Sequence, residues 1–167
     1  MSLWWIHKPF LIGGPNPTET QLMQVRGKGV NLAISLLDEK VQPLKCPVER
    51  LEAMGFIHHN IPVPDFTPPG ISQILEFLGL VRKFPEGGKV FIHCQAGMGR
   101  TGTMAAAYWI SQGLGPEEAV KCVRKSQPYA VETDEQMQVL VEFHRIYGDI
   151  FKSSQRSPES QNMDSID

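Results

Sequence analysis

Cysteine is scarce in this chain of 167 residues: Cys46, Cys94 and Cys122 are all there is. Their separations match no zinc-ligand spacing, which leaves a zinc-stapled module without its ligands. An odd count, behind an N-terminal MSLWWIHKPFLIGG that lacks the long apolar core of a secretion signal, points to free thiols in a reducing compartment. A cytoplasmic protein is expected. Long hydrophobic runs are missing too. None approaches the roughly 20 residues needed to cross a bilayer, so no membrane partner is expected. Nor is positive charge in excess: 16 Lys and Arg stand against 18 Asp and Glu, for a net charge of −2. Such a balance provides no basic field for nucleic acid. There is no internal repeat, and the length suits one compact domain, expected to be a monomer.

What is present alternates between strand and helix patterns. Phe10–Gly14 (FLIGG) reads as a short strand. PTETQLMQVRGKG follows as a helix, with Thr18 and Gln21 spaced as a capping box and Gly27 and Gly29 as stop signals. Asn31–Leu37 (NLAISLL) is a β-type run, residues 38–47 a loop, VERLEAMG a helix ended by Gly55, and FIHHNIPV a strand stopped by prolines. Pro68 and Pro69 open a helix on which Ile71, Ile74, Leu75, Leu78 and Val81 fall at helical spacing. Lys89–Cys94 (KVFIHC) has the composition of a buried strand. TGTMAAAYWISQG and PEEAVKCVRKS are helices, with Cys122 a packed small hydrophobe on the second. Thr133 and Gln136 offer a capping box for a helix reaching about Phe151. The order predicts an α/β fold with a central, mostly parallel sheet flanked by helices. One domain over 1–151 is expected, with residues 152–167, KSSQRSPESQNMDSID, too polar to bury and forming a disordered tail. Trp4, Trp5 and Trp109 read as packing residues.

The densest chemistry lies in HCQAGMGRTG, from His93 to Gly102. Gly97, Gly99 and Gly102 match a dinucleotide-binding turn, but the acidic residue such a site needs about 20 positions on is replaced by the helical VKCVRKS. No G-K-[ST] follows, which excludes a Walker-type loop. A purely structural turn explains the glycines and leaves Cys94 and Arg100 unexplained. A third reading uses every position. Five residues separate Cys94 from Arg100, enough backbone to wrap a tetrahedral oxyanion. Glycine at 97 and 99 lets successive N–H groups turn inward as an anion nest. The amides of Gln95, Ala96, Gly97, Met98 and Gly99 then bind phosphate together with Arg100, whose planar guanidinium holds two oxygens at once. The helix that follows turns its positive end to the same centre. Such an environment favours a thiolate at Cys94, a nucleophile aimed at phosphorus. Thr101 is placed to hydrogen-bond the sulfur.

HCQAGMGRTG resembles the H-C-x-x-G-x-x-R-[ST]-G signature of the cysteine-dependent protein tyrosine phosphatases. From about Phe10 to Tyr147 the chain follows the layout of their small single-domain members, the atypical dual-specificity phosphatases and the compact archaeal and bacterial tyrosine phosphatases. The resemblance implies a phosphomonoester hydrolase that works through a phosphocysteine, with no cofactor and no metal. It also implies a general acid on an upstream loop. Asp65, in IPVPDFTPP, occupies that position, although aspartate after proline is also an ordinary turn residue. Gln136, in AVETDEQMQ, resembles the glutamine that positions the attacking water; it is equally the capping partner of Thr133. Glu132 departs from a second glutamine found in some relatives. His93, directly before the nucleophile, reads as a buried organiser that steadies the loop through hydrogen bonds to backbone.

The variable loop positions, Gln95, Ala96 and Met98, are uncharged, whereas relatives acting on phosphoinositides place basic residues there. Phosphorylated proteins are therefore the expected substrates, with phosphotyrosine preferred and phosphoserine or phosphothreonine accepted. Three rivals remain: an inactive phosphopeptide-binding module of the same fold, a sulfurtransferase, and a nucleic-acid 5′-phosphatase. The joint presence of Cys94, Arg100 and Asp65 weighs against the first, R-T-G and D-F-T-P-P against the second, and the acidic balance against the third.

Overall fold

A computed structural model describes residues 2–84 and 88–154. Its elements are β1 (Trp4–His7), β2 (Leu11–Gly14), α1 (Glu19–Gly27), β3 (Val30–Ser35), α2 (Val48–Ala53), β4 (Ile57–Asn60), α3 (Ile71–Lys83), β5 (Lys89–His93), α4 (Gly99–Ser111), α5 (Pro116–Arg124) and α6 (Asp134–Ser154). The sheet order is β1-β2-β5-β3-β4. β1 runs antiparallel to β2, and every other pairing is parallel. The expected α/β architecture is thus present.

Side-chain alternation sorts the sheet into two faces. Leu11, Leu32, Ile34, Val90 and Ile92 join the larger core beneath α3, α4, α5 and α6. Ile12, Ala33 and Phe91 point the other way, onto Leu22 and Val25 of α1 and Leu51 of α2. α4 crosses the larger core, and Met104, Ala105, Ala106 and Ala107 are wholly inaccessible on it. Small side chains there let α5 and α6 approach the helix closely.

Several boundaries differ from the sequence pattern for identifiable reasons. β1, built from Trp4 and Trp5, was read only as packing; four residues without a polar alternation give no strand signal. β4 stops at Asn60, although Ile61 and Val63 still donate to Ser35 O and Leu36 O, because Pro62 has no N–H to continue a ladder. On α3 the buried set is Ile74, Phe77, Leu78 and Val81. Leu75 is 40% exposed, since the larger Phe77 takes the core-facing stripe. α4 begins at Gly99, which puts Arg100 and Thr101 inside its first turn. α6 continues to Ser154, so the first three positions of the expected tail are helical. The rest of that tail, 155–167, lies outside the described residues.

One consequence of the topology positions everything that follows. Gly14, His93 and Ser35 stand level at the ends of β2, β5 and β3. The loops leaving β2, β3, β4 and β5 therefore emerge on one edge, the edge where open parallel sheets place their ligands.

Candidate active site

β5 ends at His93, and the chain turns directly through Cys94–Met98 into α4. Cys94 is 2% exposed and sits at the floor of that turn. Gly97 has φ of +74°, and its N–H donates to Cys94 Sγ at 3.3 Å. That conformation curls the backbone around the sulfur. A Cβ on Gly97 would lie 2.5 Å from the Gly14 carbonyl carbon, so the position demands glycine for space as well as for φ. Gly99 is glycine for a different reason: a Cβ there would meet Glu132 Oε2 at 2.3 Å and the Gln136 amide at about 3 Å.

The loop is braced from three sides. Trp4 Nε1 donates to Gly97 O at 3.2 Å and Gln127 Nε2 to the same oxygen at 3.3 Å. Asn16, 1% exposed, donates its backbone N–H to Gln95 O at 3.2 Å and its side-chain amide to Gln95 Oε1 at 3.1 Å. None of Trp4, Asn16 and Gln127 is read as a site residue from sequence, since they bind the cradle from distant segments. Only the tryptophan in an otherwise short strand offered a signal.

Arg100 is 2% exposed. Its Nη1 donates to Val63 O and to Gln42 Oε1, both at 2.9 Å. Its Nη2 meets Asp65 Oδ1 at 2.8 Å. Asp65 thus does stand at the cradle, on the loop after β4, with its side chain 41% exposed. Phe66 beside it has φ of +58° and is 67% exposed. Val131, next to Glu132, has φ of +61°. For non-glycine residues this region is strained by about 1–3 kcal/mol each, and both lie in loops that border the cradle. Arg124 holds the second in place by donating to Ala130 O at 3.0 Å and Val131 O at 3.1 Å.

Gln136 is fully buried. Its N–H donates to Thr133 Oγ1 at 3.2 Å, as a cap requires. Its side-chain oxygen, however, accepts from Glu132 N at 2.8 Å instead of closing the box on Thr133, and its amide donates to Thr67 O at 3.4 Å. Gln136 thus takes the Thr133 cap on its backbone N–H, leaves the reciprocal half of the box open, and ties the Asp65 loop to the segment before α6.

One expectation needs correction. The Thr101 hydroxyl is buried without a hydrogen-bond partner and does not bond the sulfur. Its methyl lies against Gly13. His93 is buried, as expected, and stacks on Phe91 with ring centroids 5.4 Å apart. Its Nδ1 has no hydrogen-bond partner. Burial pushes its pKa down to about 3, against an upward pull from the Cys94 backbone. Among the described residues no three His, Cys, Asp or Glu side chains converge to hold a metal ion.

A family model described as "Polymorphic toxin system, DSP-PTPase phosphatase" matches residues 11–114, the stretch from β2 through the cradle and α4. The chain belongs to this phosphatase family. The phosphatase is 30% identical over 154 residues to the human phosphatidylglycerophosphatase and protein-tyrosine phosphatase 1, covering 84% of this chain and 74% of that one. It is 29% identical over 115 residues to the mouse dual specificity protein phosphatase CDC14B, covering 67% of this chain but 23% of that much longer protein. The crystal structure of Tk-PTP in its active form superposes with a TM-score of 0.77 at 34% identity, over 86% of this chain and 97% of that one. Fold, family and enzyme class agree with the resemblance drawn from HCQAGMGRTG. No helix among the described residues is long and apolar enough to cross a membrane.

Proposed function

We propose that this phosphatase hydrolyses phosphorylated proteins, phosphotyrosine in preference to phosphoserine and phosphothreonine, through a phosphocysteine on Cys94. It acts as a monomer in the cytoplasm. The observation that supports the reading best is the contact between Arg100 and Asp65, because it brings an anion-binding group and a proton-transfer group from separate loops to the rim of one thiol-floored cradle.

In the first step Cys94 Sγ attacks phosphorus while Asp65, protonated, gives its proton to the leaving oxygen. The loop amides of 95–99 and the Arg100 guanidinium hold the equatorial oxygens, where charge gathers in the transition state. In the second step Asp65, now ionised, takes a proton from the water that attacks the phosphocysteine, and Gln136 orients that water. The Thr101 hydroxyl, buried without a partner, is left out of these steps. His93 stays neutral in its buried setting and supports the floor of the loop by stacking.

The uncharged Gln95, Ala96 and Met98 favour a single phosphate over a multiply phosphorylated head group. The human relative's name couples a lipid phosphate with phosphotyrosine, so a lipid phosphomonoester is the competing substrate class. The test is hydrolysis of p-nitrophenyl phosphate, a phosphotyrosyl peptide, a phosphoseryl peptide and phosphatidylglycerophosphate in vesicles. Each is assayed in EDTA with wild type, Cys94→Ser and Asp65→Asn. Cys94-dependent turnover fastest on the phosphotyrosyl peptide supports the reading. Faster turnover of the lipid replaces its substrate class, and peptide binding without turnover converts the protein into a binding module.

A further inference from the structure

Gln42 lies in the loop after β3, a segment whose sequence, DEKVQPLK, carries no catalytic signature. Its side-chain amide nevertheless joins two groups of the cradle. Nε2 donates to Asp65 Oδ2 at 2.8 Å, and Oε1 accepts from Arg100 Nη1 at 2.9 Å. With Arg100 Nη2 on Asp65 Oδ1, the three side chains close a ring.

Resting on the proposed phosphatase reading, we propose that Gln42 is a positioning residue for phosphoryl transfer, using the Arg100 guanidinium, which Val63 O also fixes, as the anchor from which it holds the Asp65 carboxyl at the cradle. Three observations carry this. First, the tether is stiff at its base. Gln42 N donates to Asp38 O at 2.7 Å, and Asn16 grips the next residues through Pro43 O and Lys45 N while also holding Gln95. Second, Asp65 depends on it. Besides the Arg100 contact and a bond from its neighbour's Phe66 N–H, Gln42 supplies the remaining hydrogen bond to the carboxyl. Third, the chemistry needs an amide. Accepting from a guanidinium while donating to a carboxylate requires one acceptor and one donor on a planar end group. Glutamate lacks the donor and lysine the acceptor.

The ring also assigns the two carboxyl oxygens. When a phosphate claims Nη2 of Arg100, Asp65 Oδ1 keeps only the Phe66 N–H and Oδ2 stays on Gln42. Oδ1 is then the oxygen that carries the proton to the leaving group, with Gln42 keeping the carboxyl from swinging into solvent.

The readout that separates positioning from general structural support is leaving-group dependence. Phenyl phosphate needs a proton donor to expel phenolate; p-nitrophenyl phosphate hardly does. Gln42→Ala and the longer Gln42→Met, which keeps the packing and loses both hydrogen bonds, are expected to lower kcat on phenyl phosphate on the order of tenfold. On p-nitrophenyl phosphate kcat should fall less than about twofold. In an Asp65→Asn background neither substitution should cost kcat on phenyl phosphate further. Equal losses on both substrates, the same loss with and without Asp65, or a loss in Gln42→Ala that Gln42→Met does not share would overturn the proposal. Absence of Cys94-dependent turnover in the wild type would remove the phosphatase reading itself, and with it any reaction for Gln42 to serve.

Discussion

Replacing Gly97 by alanine tests the cradle most directly, because two independent physical demands fall on one atom. At φ of +74° an L-residue carries a penalty of about 1–2 kcal/mol. The new Cβ would also lie 2.5 Å from Gly14 C, 2.6 Å from Pro15 N and 2.7 Å from Gly14 O. All three are backbone atoms at the end of a central strand, so nothing flexible can yield. The loop itself must move, and movement weakens the bonds that Gly97 O receives from Trp4 and Gln127, each worth about 0.5–1.5 kcal/mol. Together these give a loss of about 2–5 kcal/mol, or a fall in Tm of about 4–20 °C for a chain of this size. The protein is expected to remain folded but to lose activity on p-nitrophenyl phosphate by on the order of a hundredfold, since the amide on Cys94 Sγ is displaced. Gly113→Ala is the control. It shares a positive φ, +103°, yet a Cβ there meets nothing within 4 Å; it should cost only about 1–2 kcal/mol and leave kcat alone. Thermal unfolding and steady-state kinetics on both variants decide the matter. A Gly97→Ala enzyme as stable as Gly113→Ala, and with most of its activity, would refute the close-approach argument.

The remaining predictions concern the supports of the cradle. His93 titrates near 6.5 when unfolded but is held at about 3 by burial, so the unfolded chain takes up its proton first. Its contribution to stability is complete above pH about 6.5 and declines as pH falls toward about 3, by up to about 1.4 kcal/mol per pH unit. His93→Asn should flatten the acid side of the stability profile measured by urea unfolding, and an unchanged slope would contradict the assignment. Trp4→Phe removes the indole donor to Gly97 O and should cost about 1 kcal/mol with a several-fold drop in kcat; a purely thermal effect would mean that Gln127 alone holds the loop. Arg124→Met frees the Ala130 and Val131 carbonyls and should cost about 2 kcal/mol. An unchanged Tm in a calorimetric scan would show that the two carbonyls find other partners.

Much of the molecule was readable along the chain because the causes are local. The signature from His93 to Gly102 packs the proposed nucleophile and nest, the arginine and the helix start into ten consecutive residues, so spacing alone suggests the chemistry. Thr18 and Gln21 form the expected capping box on α1, and the β-type runs at β2, β3 and β5 became the parallel core of the sheet. Asp65 was legible one step less directly, from prolines and a preceding strand, and the structure puts it against Arg100. The failures also share a cause. Sequence position places Thr101 beside the sulfur, but in the fold its hydroxyl is buried without a partner while its methyl lies against Gly13. Leu75 and Phe77 compete for one face of α3, and only the space beneath the helix decides between them.

The sequence by itself determined the family and the run of residues proposed as nucleophile and anion cradle, because these depend on residues close together in the chain and on backbone freedom that glycine alone supplies. Which distant side chains complete the site was decided by tertiary structure. Trp4, Asn16, Gln42 and Gln127 reach the cradle from four separate segments, and no periodicity or spacing connects them. They meet because parallel strands end on a common edge, and hydrogen bonds then form between whatever polar groups that edge collects.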